Sequence, residues 1–257
     1  MEVLVDFKTY DPMKLFFTSF VFIFSLNAYC QTMNYDGNND GCVNVLDMLN
    51  ILIEFGQCED VDFASCGDPF NHHNFEYSTV QIGDQCWFTE NLNYLPQVNM
   101  SDDSSIESPK FYVYAYNGES VEEAMDTYSY ITHGVLYNFP AILYSDICPS
   151  GWHVSSDEDW NYIISLYGGE WVAGEYLRAE TWGNGNNESG LTLTPSGLRH
   201  FNGNFAMAGT GGYWWTSTIS SGNEAWDRYT TNVNPNWMDR SSIPFDSGMS
   251  VRCVLDQ

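Results

Sequence analysis

Hydrophobic and polar positions cut the chain into stretches of different period. From Met13, MKLFFTSFVFIFSLNAYCQ runs apolar to about Leu26 behind a single Lys14, then closes on Ala28-Tyr29-Cys30 before Gln31. A basic start, a short apolar run and small residues at the exit read as a secretory signal peptide over residues 1–30, too short to span a bilayer. Residues 1–12, MEVLVDFKTYDP, are acidic where such a peptide is basic, so translation is expected to start at Met13. Tyr29 is a poor neighbour for a lipidated cysteine and argues against an anchor on Cys30. The mature chain is expected to be exported, with no transmembrane segment.

Further along, NVLDMLNILIEFG from Asn44 puts Leu46, Leu49 and Ile53 on one helical face, and Gly56 stops it. The acidic stretch 60–68 reads as a linker. YSTVQIGDQCWFTENLN, from Tyr77, alternates through Val80 and Ile82 and predicts a strand, a turn at Gly83-Asp84 and a second strand through Trp87 and Phe88. Residues 97–130 are polar and Tyr-rich without a period, which predicts a long surface excursion. In CPSGWHVSSDEDWNYIISLYGG, Ser155 or Ser156 caps a helix with acids in its first turn. Trp160, Ile163, Ile164 and Tyr167 recur at helical spacing, and Gly168-Gly169 ends it. A second short helix is expected over about 170–179. GYWWTST, from Gly212, reads as a core strand. GMSVRCVLD reads as another, with Val251, Cys253 and Leu255 on one face and Arg252 and Val254 on the other.

Composition narrows the classes. A chain of 257 residues has room for one or two domains with a real core. Its net charge of -26 repels nucleic acid and anionic membranes, so no nucleic-acid partner is expected. An aromatic content of 16% argues against disorder despite that charge. Beyond Cys30 the chain keeps cysteines at 42, 58, 66, 86, 148 and 253, an even set in an exported protein. Disulfides are expected, with connectivity open at this point.

The loop before the first apolar helix carries the clearest site chemistry. Counting from Asp36, oxygen ligands fall at positions 1, 3, 5, 7, 9 and 12: Asp36, Asn38, Asp40, the Cys42 carbonyl, Asn44 and Asp47, with Gly41 at the bend. This is the spacing of an EF-hand-like loop, which gathers six to eight hard oxygens about calcium. The blander alternatives are a calcium loop that only orders itself, or an Asx-rich turn capping a helix. The pattern D-x-N-x-D-G-x-V-N-x-x-D, followed by an apolar helix and Phe55-Gly56, resembles a dockerin repeat over residues 31–59. In that family calcium-loaded repeats plug into cohesin modules, often assembling polysaccharide-degrading enzymes, so the resemblance implies calcium and a cohesin-like protein partner. One repeat is present where dockerins carry two, and Val45 and Leu46 stand where small polar recognition residues are usual.

The rest of the chain carries a second resemblance. TVQIGDQCWFTENLN, GVLYNFPA, CPSGWHVSSDEDW, YWWTST and SVRCV are similar, in order, to the signature blocks of the Fibrobacter succinogenes major paralogous domain. The resemblance places that domain at 69–257 and implies a C-type-lectin-like α+β fold. Such a fold has two helices, a small twisted antiparallel sheet, long loops, and first and last strands side by side. It implies that Cys148, just before the first helix, lies near Cys253. With proximity in sequence, the favoured pairs become 42 with 58, 66 with 86, and 148 with 253.

Direct signals for catalysis are absent. No G-x-S-x-G, H-E-x-x-H or P-loop occurs, and no carboxylate pair stands out for glycoside hydrolysis. His72 and His73 lack zinc-like company. His153 is expected to make a structural hydrogen bond. The lectin triplets E-P-N, Q-P-D and W-N-D are missing, and NVNPNW only echoes them, so the lectin calcium site is not carried over. Exposed aromatics and Asn-rich loops such as WGNGNNESG offer stacking and amide bonds to a glycan, although most Trp are expected in the core and most Asn in turns. The expected protein is therefore a secreted non-enzymatic module for adhesion to, or recognition of, polysaccharide or protein. The rival is an enzyme or accessory subunit of polysaccharide catabolism, assembled through its dockerin-like segment.

Overall fold

The computed structural model describes residues 65–144 and 147–256. The expected signal peptide, the expected calcium loop, Cys42 and Cys58 lie outside the described residues. The elements run β1 (Phe70–His72), β2 (Phe75–Tyr77), β3 (Thr79–Ile82), β4 (Gln85–Phe88), β5 (Phe111–Tyr112), α1 (Val121–Met125), α2 (Tyr128–His133), β6 (Leu136–Tyr137) and α3 (Phe139–Tyr144). They continue β7 (Trp152–Val154), α4 (Asp157–Leu166), α5 (Ala173–Leu177), β8 (Leu198–Arg199), β9 (Phe205–Ala206), β10 (Gly211–Ser221), β11 (Glu224–Thr231), β12 (Asp239–Pro244) and β13 (Cys253–Leu255). This is an α+β fold with five short helices among the described residues, rather than two. None of them is long and apolar enough to cross a membrane.

Two antiparallel sheets organise it. One has the order β3-β4-β13-β7, so the earliest of its strands meet the last; the other is β10-β11-β12. The β3–β4 hairpin turns at Gly83, whose φ is 60°, and a Cβ there would run into the Tyr162 ring. Strand β4 is buried along its whole length because its two faces serve different cores. Cys86 and Phe88 face a cluster with Tyr77, Phe139, Trp152 and Trp215, while Trp87 faces one with Trp160, Ile163, Trp182 and Trp214. Burying side chains of this size is worth about 1.5–3 kcal/mol each. Strand β13 repeats the division, with Cys253 in the first cluster and Val254 in the second. The indole nitrogens do not go unpaired: Trp214 donates to Asn91 at 2.8 Å and Trp215 to the Tyr137 carbonyl at 2.6 Å.

Helix α4 has a reciprocal cap, with the Ser156 hydroxyl accepting from Asp159 N and the Asp159 carboxylate accepting from Ser156 N. Positive φ at Gly168 and Gly169 ends it. Helix α5 is shorter than the stretch 170–179 expected, because Arg178 leaves the helix with extended backbone and Ala179 N turns to Leu193 O. The surface excursion expected at 97–130 is corrected more sharply. Phe111, Tyr112 and Val113 are core residues, and α1 and α2 bury Ala124 and Tyr130. Distant polar side chains hold this stretch in place: Asn138 Nδ2 donates to the Ser105 and Ser108 carbonyls, and Arg199 Nε to the Ser101 carbonyl. No local period announces such anchoring.

Disulfides join Cys66 to Cys86 and Cys148 to Cys253. The first ties the stretch expected to be a linker to β4. The second spans 105 residues, where chain entropy favours the linked state by about 4–5 kcal/mol. Four arginines, 178, 199, 228 and 252, are fully buried. Arg252 has no carboxylate in contact; it donates instead to Asn91 Oδ1 and to the carbonyls of Phe88, Leu191 and Thr192. Burial pushes its pKa down to about 9, which leaves it charged at neutral pH. Replacing it orphans these buried acceptors, so Arg252→Leu is expected to cost at least about 3 kcal/mol. The urea midpoint checks this, and an unchanged midpoint would refute the role given to the guanidinium.

Candidate ligand-binding cleft

The two adjacent histidines are spent locally. His73 and Asn74, both at positive φ, turn the β1–β2 ribbon; His73 stacks on Tyr94 at 3.7 Å and His72 Nε2 bonds the Ile147 carbonyl at 2.8 Å. No group of three or more His, Cys, Asp or Glu side chains among the described residues is placed to hold a metal. His153, on β7, is the exception in electrostatic terms. Its Nδ1 lies 2.6 Å from Asp256 Oδ1 and its Nε2 3.0 Å from Asp159 Oδ2, in an open pocket also lined by Asp84 and Glu158. Two carboxylates on two ring nitrogens ask for the imidazolium. The bond to Asp159 raises the His153 pKa, burial opposes it, and Asp256 adds to the rise. The pair clasps the C-terminal strand to the cap of α4.

A different kind of cleft opens beside α2. It measures about 480 Å³ and gathers Tyr114 and Ala115 after β5, Tyr128, Ser129, Thr132 and His133 on α2, and Thr181, Thr194, Pro195, Ala208 and Gly209 from loops. Local sequence explains how α2 presents them. Thr127 caps the helix by accepting from Tyr130 N, and Tyr130 turns inward to donate to the Asn93 carbonyl, which leaves Tyr128, Ser129 and Thr132 toward the cleft. Asn91 Nδ2 holds the His133 carbonyl at 3.0 Å, and the same Asn91 accepts from Trp214 and Arg252, so the cleft wall hangs on the core. On the opposite side Gly197 has no room for a Cβ against Tyr114.

No charged side chain lines this cleft, in a protein of net charge -26. The hydroxyls of Tyr114, Tyr128, Ser129, Thr132, Thr181 and Thr194 make no hydrogen bond within the described residues, whereas serines and threonines of the sheets are mostly engaged. Burial lowers the His133 pKa, keeping the ring neutral, and its Nδ1 is buried without a partner. The arrangement offers donors and acceptors to a polyhydroxylated, uncharged ligand. Sequence reasoning missed it because its parts come from five separate segments. One signal was visible: 127–144 carries no Asp, Glu, Lys or Arg.

The Asn-rich loops singled out from the sequence pack together. Arg178 donates to Asn232 Oδ1 at 2.7 Å, the Pro235 carbonyl at 2.8 Å and Asn184 Oδ1 at 3.3 Å, and stacks on Trp182 at 3.9 Å. WGNGNNESG and NVNPNW are thus two sides of one buried guanidinium, and most of the Trp are core residues, as the composition suggested.

A pH dependence follows from His153 and from Asp227. Burial, opposed by bonds from Ser241, pushes the Asp227 carboxyl up to about 7, and its Oδ2 has no partner. A raised carboxyl pKa means its protonated form stabilises the fold at acid pH, a contribution lost as pH rises toward about 7. For His153, raised above 6.5, the contribution is complete below 6.5 and lost as pH climbs through the folded value. Melting temperature is expected to fall from acid pH through about 7 and on through the folded value of His153. Asp227→Asn should flatten the lower part of that fall and His153→Gln the upper part; parallel profiles in all three proteins would refute both assignments.

No curated protein and no solved structure matches the chain. The sequence model of the Fibrobacter succinogenes major domain matches residues 80–255, from within β3 to the end of β13. That span is well over half of the chain and contains the cleft and most of both sheets and both cores, and the chain belongs to this family.

Proposed function

We propose that the protein is an exported, non-enzymatic recognition module whose large domain binds extracellular polysaccharide in the cleft beside α2. The carrying observation is the set of unspent hydroxyls around a neutral His133, without a charge among the lining residues. Neutral sugar hydroxyls match such a surface by exchanging water for equivalent partners. A protein ligand is the weaker fit, since protein interfaces are anchored by apolar and arginine side chains. The rival reading, polysaccharide hydrolysis, needs two carboxylates about the scissile bond, and the lining of this cleft contains none.

The finer fold, C-type-lectin-like with an EF-hand-like loop and helix before it, is part of the proposal. Its support in the large domain is the sheet that brings β3 and β4 beside β13, with Cys148 bonded to Cys253. Its support at 31–59 is ligand spacing alone, and on that spacing Asp36, Asn38, Asp40, Cys42, Asn44 and Asp47 hold calcium. A cohesin-like protein is the partner that a dockerin-like segment would take.

On a panel of neutral and uronic-acid polysaccharides, the protein is expected to bind a neutral member with little salt dependence and without turnover. Tyr128→Ala should weaken binding about tenfold by removing one stacking face. Preference for uronates, or release of reducing ends, would overturn the reading. Separately, calcium titration of the full chain should raise its melting temperature, and Asp36→Ala with Asp40→Ala should abolish the rise; a persisting rise would put the ion elsewhere.

A further inference from the structure

We infer that Trp171 and Trp237 form a second carbohydrate subsite on the same domain, taking one uncharged pyranose unit of a polysaccharide chain. The inference rests on the polysaccharide reading above and concerns residues outside the cleft. Six of the nine Trp are buried, and Trp226 lies under the Arg240 guanidinium at 4.4 Å. Trp171 is different, with 62% of its surface exposed. It meets Trp237 at 4.5 Å between ring centroids and 84° between planes, so the two indoles make a right-angled corner. Leaving so large an apolar surface in water gains nothing for folding.

The corner is held firmly from beneath. Met238 N donates to the Glu170 carbonyl at 2.7 Å and Gly174 N to the Asn236 carbonyl at 2.9 Å, which fixes the Trp171 and Trp237 segments against each other. A Cβ on Gly174 would come within 2.7 Å of the Trp237 carbonyl oxygen, so the approach requires glycine. Arg178, Trp182 and Asn184 clamp the Asn232–Asn236 stretch from the other side. A buried charge is an expensive way to fix a surface loop. Its effect is to settle the ordering cost of the two rings during folding and not during binding.

The surroundings select the ligand. Residues 181–187 and 230–238 carry no charged side chain, against the acidity of the rest of the chain. The Asn234 amide makes no hydrogen bond within the described residues, and the Asn236 amide oxygen is taken by Asn184 while its nitrogen remains available. A pyranose ring presents C–H bonds that pack on an indole face and hydroxyls at its rim that reach such amides. A uronate or sulfated unit would find no cation, since Arg178 is spent below the loop.

Depletion isotherms of the full chain on insoluble neutral polysaccharides, with indole fluorescence as a second readout, test this. Trp171→Ala is expected to weaken binding about tenfold at unchanged melting temperature. Trp171→Phe, which keeps a stacking face, should retain most of the affinity and guards against a folding artefact. Wild-type affinity in Trp171→Ala, with affinity lost in Tyr128→Ala, would overturn the subsite and leave the cleft reading standing. Failure of the wild-type protein to bind any member would overturn the functional reading and the subsite together.

Discussion

This domain hangs on buried guanidinium groups bonded to backbone and side-chain oxygen. A fold with short strands and long connections leaves many carbonyls without a helical or sheet partner, and each would cost about 1–3 kcal/mol if buried unsatisfied. Arginine brings several donors in one rigid plane. Arg252 draws Phe88 at the end of β4, the Leu191–Thr192 turn and Asn91 onto one point; Arg199 does the same for the Ser101, His200 and Asp246 carbonyls. Arg228 bonds Asp157 and Asn161 and so seats α4 on β11. Charges buried this way repay their desolvation through many bonds at once, although Arg178 leaves its Nε without a partner, and the requirement makes the loop arrangement specific as well as stable.

That economy sets the character of the surface. Of eight basic residues, Lys8 and Lys14 lie outside the described residues, and the other six all have partners within the domain. Lys110 binds Asp103, and Arg240 binds Asp157 while covering Trp226. No described cation remains to attract an anionic ligand. The acidic exterior is interrupted where loops carry no charged side chain, as along the cleft lining and at 181–187 and 230–238. Those interruptions are the cleft beside α2 and the Trp171 corner, so the placement of charge inside and the chemistry outside have one origin.

How far the sequence discloses this depends on where the stabilising bonds lie. The β3–β4 hairpin, helix α4 and strand β13 are legible because period, cap and turn residues sit within a few positions of one another. The segment 97–130 is opaque because Phe111 and Tyr112 pair with Tyr137 and Leu136, and Ser101, Ser105 and Lys110 bond Arg199 and Asn138, all far away in the chain. The extra helices are hidden by their brevity, since α1 and α2 each last about a turn and a half. Of the candidate chemistry, the Asn-rich loops were visible as composition, yet their joint clamp on Arg178 was not. The cleft, assembled from parts of 114–115, 128–133, 181, 194–195 and 208–209, had no motif to betray it.

Backbone strain around the cleft bears on its purpose. Ala115 sits at φ 58° on its wall and Met207, next to Ala208, at φ 69°. A left-handed non-glycine residue costs of order 1–2 kcal/mol and persists only where neighbouring bonds dictate it. Those bonds are present: Tyr116 N to the Val113 carbonyl, Gly211 N to the Met207 carbonyl, and Gly209 N to the Pro195 carbonyl. A loop free to relax would lose both the strain and the convergence of Tyr114, Thr194 and His133. Because the fold holds it, a ligand entering the cleft meets side chains already oriented and loses less of its binding free energy to ordering them. Rigidity of this kind supports the proposed recognition of a repeated, stiff polymer.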